Sequence, residues 1–144
     1  ALVIDIAGDG SILMNIQELS TVVQHRLPVK IFIINNEYMG MVRQWQELLH
    51  GGRYSESYMD SLPDFVKLAE SFKVKGLRAV KAIEVDDVIK EMIEIDGPVV
   101  ADICVDKKEN CFPMIQSGSA HNEMVLNKEQ KQDSKSAQKG KILV

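Results

Sequence analysis

The chain has 144 residues, a formal net charge of −4 at pH 7 and 45% hydrophobic residues, which is enough apolar material for the core of a globular domain. No apolar run approaches the roughly 18–20 residues that cross a bilayer, and the negative net charge does not favour nucleic-acid binding. Cys104 and Cys111 are too few for a disulfide framework. We therefore expect a protein of the reducing cytoplasm, with neither a membrane nor a nucleic-acid partner.

The first predicted element is a short apolar strand over residues 2–6. Gly8-Asp9-Gly10 follows as a turn, in which glycine permits unusual backbone angles and the close approach of a ligand. Asn15 is predicted to cap a helix, with Glu18 three residues on as in a capping box, and this helix ends near Arg26. Its apolar stripe comprises Ile16, Leu19, Val22 and Val23.

Residues 29–34 are β-branched and nearly all apolar, which is typical of a strand buried on both faces of a parallel sheet. In open parallel sheets, ligands bind beyond the carboxyl ends of the strands, and Asp9 and Asn36 both fall there. Magnesium prefers oxygen ligands in an octahedral arrangement, often shared with phosphate oxygens. Asp9, the Asn36 side chain and a nearby main-chain carbonyl therefore predict a magnesium-diphosphate site. Taken singly, Asp9 is more often a turn residue and Asn35-Asn36 more often an ordinary loop, so the prediction depends on their occurring together around a strand-helix-strand unit.

Five more elements follow in chain order. A helix beginning near Met39 places Met41 and Trp45 on one face, although such a pair is more often part of a core. A helical stripe over residues 65–72 begins with Pro63 in the first turn. The later segments are a strand over 74–80, a helix over 86–95 with Val88, Ile89, Met92 and Ile93 inward, and a strand over 98–105. This alternation predicts an α/β fold, a three-layer parallel sheet with helices on both faces.

Other polar residues are left out of the ligand set. Glu37 is adjacent to a proposed ligand, but neighbouring side chains readily point in different directions. His25, His50 and His121 have no Cys or His partner at metal-like spacing. We expect structural or solvent-facing roles for all three histidines.

The pattern Gly8-Asp9-Gly10, 24 intervening residues and Asn35-Asn36 resembles the thiamine diphosphate-binding motif. Within that superfamily, residues 36–46, Pro63-Asp64-Phe65 and Phe112-Pro113-Met114 resemble the large catalytic subunit of acetohydroxyacid synthase, also called acetolactate synthase. The resemblance covers residues 1–126. It implies one thiamine diphosphate- and magnesium-binding domain over this range, cut at its amino end from a larger enzyme.

The resemblance also implies the site residues. Magnesium is bound by the side chains of Asp9 and Asn36 and by the main-chain oxygen of Tyr38. Met41 supports the thiazolium region of the cofactor, and Trp45 shapes the pocket of the second substrate. The implied cofactor-binding set comprises Gly8, Asp9, Gly10, Ser11, Asn36, Tyr38, Met39, Gly40 and Met41. No catalytic residue is expected here, because the activating glutamate belongs to an amino-terminal domain and FAD binds to a middle domain. The isolated chain is therefore expected to be inactive.

The implied activity is that of a transferase in branched-chain amino acid biosynthesis. It decarboxylates pyruvate and transfers the two-carbon unit to pyruvate or 2-oxobutyrate, giving acetolactate or 2-aceto-2-hydroxybutyrate. The family forms homodimers or homotetramers, often with a separate regulatory subunit, and in eukaryotes it resides in plastids or mitochondria. The alternatives are a pyruvate oxidase, a 2-oxo acid decarboxylase, or a noncatalytic phosphate-binding α/β module. The last is disfavoured because both GxGxxG and GxxxxGK are missing from the sequence.

The carboxyl-terminal part has two predicted segments. Residues 106–126 form a lid over the cofactor if the resemblance holds, whereas the residues alone fit a surface arm equally well. Residues 127–144 are rich in Lys, Gln and Ser and are predicted to form a polar, flexible tail.

Overall fold

The structure is a computed structural model that describes residues 1–127. All but the first residue of the predicted tail therefore lies outside the described residues. The described chain divides into two compact units. The first comprises Ala1–Met39 and Tyr58–Lys108, and the second comprises Gly40–Ser57 and residues 109–127. No helix within residues 1–127 has the length and apolar character needed to span a bilayer.

The first unit is built on a parallel four-stranded sheet. The strands are β1 (Val3–Gly8), β2 (Val29–Asn35), β3 (Lys75–Ala79) and β4 (Val99–Cys104), in the spatial order β1-β2-β4-β3. Gly8 pairs with Ile34 at the carboxyl ends of β1 and β2. The residues that follow these two strands therefore meet at one edge of the sheet.

Helices cover both faces of this sheet, so the predicted three-layer α/β fold is confirmed. The helices of the first unit are α1 (Asp9–Ile12), α2 (Glu18–Gln24), α4 (Phe65–Ser71) and α5 (Ala82–Glu94), and α3 (Gly40–Leu49) belongs to the second unit. On one face α2 and α4 enclose a core of Leu19, Ile31, Ile33, Phe65, Ala69, Val74 and Val100. On the other face α5 encloses a core of Leu77, Ala79, Met92, Val99, Ala101 and Ile103.

The predicted turn at Gly8-Asp9-Gly10 is wrong in form. A short helix begins directly at Asp9, and Gly8 is its amino-terminal cap with an ordinary φ of −82°. Gly10 is not in the left-handed region either. Its lack of a side chain matters for packing, because a Cβ at Gly10 would lie 3.3 Å from the methyl carbon of Met59. Close approach, not backbone freedom, is what the glycine provides.

Two predicted helix starts are also wrong. Helix α2 begins at Glu18 after Gln17, and Asn15 contributes only its main-chain carbonyl, which accepts the N–H of Glu18 at 3.0 Å. Helix α5 begins at Ala82, four residues before the predicted start. The reason is Glu84, whose carboxylate accepts the N–H groups of Val80 and Lys81 at 2.9 and 3.0 Å and so caps the helix earlier.

Smaller corrections concern the faces and ends of two helices. On α5, Met92 is buried as predicted, but Ile93 is 45% exposed. The buried face of this helix is therefore narrower than the predicted one. Pro63 is not in the first turn of α4, because Asp64 is the amino-terminal cap. Its carboxylate accepts the N–H groups of Val66 and Lys67 at 3.1 and 3.3 Å.

Candidate functional site

Asp9 is the centre of the candidate site in the first unit. It directly follows β1 and is only 2% exposed. Its Oδ1 accepts the N–H of Gly10 at 2.8 Å, and its Oδ2 accepts the N–H of Glu37 at 2.7 Å. The second bond crosses from the end of β1 to the loop after β2, so Asp9 lies beside Asn36 as predicted from the parallel order.

The environment of the Asp9 carboxylate combines burial with main-chain dipoles. Burial raises the pKa of Asp9 above its ordinary value of 3.8, and main-chain N–H groups of Gly10, Glu37 and Asn36 counter this increase. Within residues 1–127 no Lys or Arg pairs with Asp9. A bound cation would therefore offset the cost of burying this charge.

The loop after β2 positions the other predicted ligands. The Asn36 Oδ1 accepts the N–H of Tyr38 at 3.1 Å, which folds the loop back on itself. Tyr38 pairs with Tyr58 in an isolated antiparallel bridge, and their ring centroids are 5.0 Å apart. The main chain at Tyr38 is thus held from both sides.

Glu37 has a structural task in the loop after β2, as expected for a residue outside the predicted ligand set. Its φ of +56° is in the left-handed region, which is uncommon for a residue with a side chain. Its carboxylate accepts hydrogen bonds from Lys107 Nζ and from Tyr58 Oη, the latter at 3.0 Å. Lys107, followed by Tyr58, lowers the pKa of Glu37 below its ordinary value.

These residues fit a magnesium ion. Asp9 supplies a carboxylate, Asn36 an amide oxygen and Tyr38 a carbonyl oxygen, and magnesium prefers such hard oxygen ligands. Within the described part of the chain, no cluster of three or more His, Cys, Asp or Glu side chains could hold a metal. A metal site here therefore needs amide and main-chain oxygens, as this set provides. The assignment of these three residues remains a prediction.

The remaining predicted cofactor residues of the first unit have local contacts. Gly8 N–H donates to Ser11 Oγ at 2.8 Å, and Ser11 Oγ donates to the Gly8 carbonyl at 3.0 Å. This exchange fixes the first turn of α1. Met39 is 45% exposed, so its side chain is accessible to a ligand.

In the second unit, α3 has an inverted pattern of burial. Its buried side chains are the polar residues Arg43 and Gln44, whereas Met41 and Trp45 are 49% and 44% exposed. The predicted shared face of Met41 and Trp45 is present, but this pair does not form a core. An exposed apolar face is typical of a binding surface.

Met41 and Trp45 line a cavity of about 620 Å³, a size typical of small-molecule sites. The lining residues are Met41, Val42, Trp45, Gln46, His50 and Arg53. Gln46 shapes one wall by donating to the Ser55 carbonyl at 2.7 Å and accepting from Ser57 Oγ at 2.8 Å. The predicted role of Trp45 in a substrate pocket is consistent with this position and remains a prediction.

The buried polar face of α3 anchors the segment around Cys111. Gln44 Nε2 donates to the Cys111 carbonyl at 2.9 Å, and Gln44 Oε1 accepts the Cys111 N–H at 2.7 Å. Arg43 donates to Asn110 Oδ1 at 2.9 Å and forms an ion pair with Glu47 at 2.9 Å. Part of the predicted lid segment is therefore fixed to α3 within this unit.

Sequence reasoning missed a polar network at the carboxyl edge of the sheet. Asp102 is 1% exposed, and it accepts hydrogen bonds from Asn35 and Arg78. A charged residue inside an otherwise apolar strand is the signal that could have revealed it. The same signal marks Lys30, which is 2% exposed in β2.

Comparison with known proteins identifies this fold as that of a thiamine diphosphate-binding domain. The profile of the family described as "Thiamine pyrophosphate enzyme, C-terminal TPP binding domain" matches residues 1–103. The chain belongs to this family. The predicted cofactor class is therefore confirmed.

The chain is similar to catalytic subunits of one branch of the family. It is 47% identical over 131 residues to the acetolactate synthase large subunit of Haemophilus influenzae, covering 90% of this chain and 23% of that protein. It is 48% identical over 125 residues to the mitochondrial acetolactate synthase catalytic subunit of Saccharomyces cerevisiae, covering 87% of this chain and 18% of that protein. The chain thus spans about a fifth of the length of these relatives.

A solved structure also resembles the fold. The thiamine diphosphate-dependent 4-hydroxybenzoylformate decarboxylase of Rhodococcus jostii superposes with a TM-score of 0.67 at 30% identity. The match covers 73% of this chain and 20% of that one.

Proposed function

We propose that residues 1–126 are the carboxyl-terminal cofactor domain of an acetohydroxyacid synthase catalytic subunit, with residues 106–126 as a lid. The whole subunit would decarboxylate pyruvate and transfer the two-carbon unit to pyruvate or 2-oxobutyrate. The observation that carries this proposal is the similarity to acetolactate synthase large subunits over almost the entire chain. The meeting of Asp9 with the Asn36 loop supports it independently.

Each part of the chain has a distinct task in this proposal. Asp9, Asn36 and the main-chain oxygen of Tyr38 hold Mg²⁺, which binds the diphosphate of the cofactor. Thiamine diphosphate supplies the electron sink that decarboxylation of a 2-oxo acid requires. Met41 supports the thiazolium region of the cofactor, and Trp45 shapes the pocket that selects the acceptor by size. FAD, a second catalytic subunit and a regulatory subunit belong to the complete enzyme.

The test is a product assay on the full-length subunit. Pyruvate is supplied with thiamine diphosphate, Mg²⁺, FAD, inorganic phosphate and dissolved O2, so that an oxidase product can also form, and the products are identified by mass spectrometry. Acetolactate from pyruvate alone, and 2-aceto-2-hydroxybutyrate when 2-oxobutyrate is added, are expected. Acetyl phosphate, or pyruvate recovered unchanged, would contradict the proposal.

A second candidate is a thiamine diphosphate-dependent decarboxylase that releases an aldehyde. The similarity to the Rhodococcus jostii decarboxylase structure supports it, although at lower identity. The same assay separates the two, because a decarboxylase releases acetaldehyde from pyruvate and forms no carbon-carbon bond. Omission of Mg²⁺ should abolish turnover in both cases, so product identity decides.

A further inference from the structure

Three adjacent strands contribute side chains to one hydrogen-bonded chain at the carboxyl edge of the sheet. Asp102 of β4 is buried, and its Oδ1 accepts the Asn35 Nδ2 of β2 at 3.0 Å. Its Oδ2 accepts the Arg78 Nε of β3 at 2.9 Å. Arg78 and Asp102 are also register partners across the β3–β4 ladder. The network thus spans three adjacent strands of the sheet.

The Asp102 carboxylate dictates which way Asn35 faces. An ionised carboxylate only accepts hydrogen bonds, so the amide nitrogen of Asn35 must point towards Asp102. The amide oxygen of Asn35 then points the other way, where it accepts the N–H of Glu37 at 3.3 Å. If the amide were flipped, its nitrogen would face a main-chain donor.

The Glu37 N–H is the group that Asp9 also binds. It donates to Asp9 Oδ2 at 2.7 Å and to Asn35 Oδ1 at 3.3 Å, so the two acceptors share one donor. This N–H lies between Asn36 and Tyr38 in the sequence. The orientation of Asn35 therefore bears directly on the loop that carries two of the three proposed metal ligands.

The far end of the network is fixed by the first turn of α4. Arg78 Nη2 donates to Asp64 Oδ1 at 2.7 Å, and Asp64 caps the helix. Arg78 also supplies the positive charge that the buried Asp102 requires. The Asp102 carboxylate is thus fixed in orientation by Arg78 on the side opposite to Asn35.

We infer that Asp102 is a positioning residue for the metal site. It fixes the orientation of the Asn35 amide, and this amide in turn fixes the position of the Asn36–Tyr38 loop. This inference rests on the proposed function, because it concerns the affinity for Mg²⁺ and thiamine diphosphate. Asp102 touches neither ligand. It acts through the Asn35 amide and the shared Glu37 N–H.

The test exploits the polarity of the Asn35–Asp102 pair. Asp102→Asn has nearly the same shape, but its amide nitrogen replaces one of the two accepting oxygens and must therefore face a donor, either the Asn35 amide or Arg78. Asn35→Asp places two carboxylates opposite each other. The double variant Asn35→Asp/Asp102→Asn restores a donor-acceptor pair in the reverse sense. In the double variant, the new carboxylate at position 35 can still accept the Glu37 N–H, and the new amide oxygen at position 102 can still accept from Arg78.

The measurement is calorimetric titration of thiamine diphosphate into the full-length subunit at fixed Mg²⁺. We expect each single variant to bind about tenfold more weakly, the lower end of the loss seen when a direct partner of a metal ligand is removed, because Asp102 and Asn35 act one contact further from the metal. The affinity of the double variant should return to within about threefold of the wild-type affinity, because the two substitutions together restore the hydrogen bond that each of them breaks alone. Asp87→Asn is the matched control, since Asp87 is 85% exposed on α5, and it should bind as wild type does.

The outcomes are distinguishable. Unchanged affinity of Asp102→Asn, or a double variant as weak as the singles, would overturn the inference while the wild-type subunit still binds its cofactor. An Asn35→Asp variant that binds thiamine diphosphate more tightly than wild type would overturn it too. The affinity would then depend on negative charge near the metal site and not on the orientation of the side chain at position 35. If Asp102→Asn does not fold, Asn35→Asp and the double variant carry the same comparison. Failure of the wild-type subunit to bind would overturn the proposed function, and this inference with it.

Discussion

The carboxylate of Asp9, at the end of β1, accepts the main-chain N–H of Glu37, beyond the end of β2, at 2.7 Å. This one bond joins the two halves of the candidate metal site. It also means that Asp9 has a structural role besides the proposed ligand role. A variant must therefore preserve the first role in order to test the second.

Asp9→Asn meets this condition, because an amide oxygen can still accept the Glu37 N–H. We expect the variant to bind thiamine diphosphate in the presence of Mg²⁺ roughly 100-fold more weakly or worse, since loss of a ligand should exceed the 10- to 100-fold typical of outer partners. Calorimetric titration measures the change. Asp5→Asn, an exposed position in β1, is the control and should bind normally. Equal affinities for Asp9→Asn and wild type would remove Asp9 from the ligand set.

Trp45 is expected to select the acceptor substrate. Trp45→Leu enlarges the cavity on α3 and should change the ratio of 2-aceto-2-hydroxybutyrate to acetolactate roughly tenfold, a typical result of altering an apolar pocket. Cofactor affinity should stay near that of wild type. Competition between pyruvate and 2-oxobutyrate, with both products quantified, provides the measurement. Ile93→Ala alters another half-exposed apolar side chain, 45% against 44% exposed, and should leave the ratio unchanged. An unaltered ratio in Trp45→Leu would exclude the pocket role.

Lys30 is expected to stabilise the turn that leads from α5 into β4. Its Nζ donates to the carbonyls of Ile95 and Gly97, at 2.6 Å in both cases. Lys30→Met keeps the length of the side chain but leaves two carbonyls without this donor, so we expect a loss of about 2–3 kcal/mol in the free energy of unfolding. Urea denaturation followed by circular dichroism measures it. Lys90→Met, at a 71% exposed side chain, should change stability little. An equal effect of the two substitutions would contradict the role of Lys30.

Asp64 should make stability depend on pH in the acid range. The hydrogen bond from Arg78, followed by that from the Lys67 N–H, lowers the pKa of Asp64 below its ordinary value of 3.8. The folded state therefore binds this proton less readily than the unfolded state. The stabilisation is complete above the ordinary pKa and is lost as the pH falls through the lower, folded-state pKa.

Comparison of wild type with Asp64→Asn tests this pH dependence. The stability difference between the two should be largest near neutral pH and should shrink steadily as the pH falls below about 4. Urea midpoints measured from pH 7 to pH 3 give the curve. A difference that is constant over this range would show that the Asp64 charge does not contribute.

Local patterns predicted most of the elements but fewer of their ends. The apolar strand at 29–34 and the start of the helix after Met39 agree with the structure to within one residue, because periodicity indicates which side chains must leave water. Asn15 was predicted to cap a helix and does not, whereas Glu84 caps α5 without having been predicted. A helix cap depends on which carboxylate or amide oxygen is placed to accept the free N–H groups of the first turn. Several side chains in the same stretch of sequence could do so.

The sequence by itself determined the α/β class, the positions of Asp9 and Asn36 just after two strands, and the cofactor family, because the alternation of strands with helices and the spacing of motifs are local properties of the chain. The tertiary structure decided which faces of the helices are buried. Met41 and Trp45 have the same helical spacing whether they face a core or a cavity. In the structure, the polar face of α3 is the buried one, because Gln44 packs against Cys111. Likewise Asp102 and Asn35 are 67 residues apart. Their contact depends on strand pairing, which no local pattern encodes.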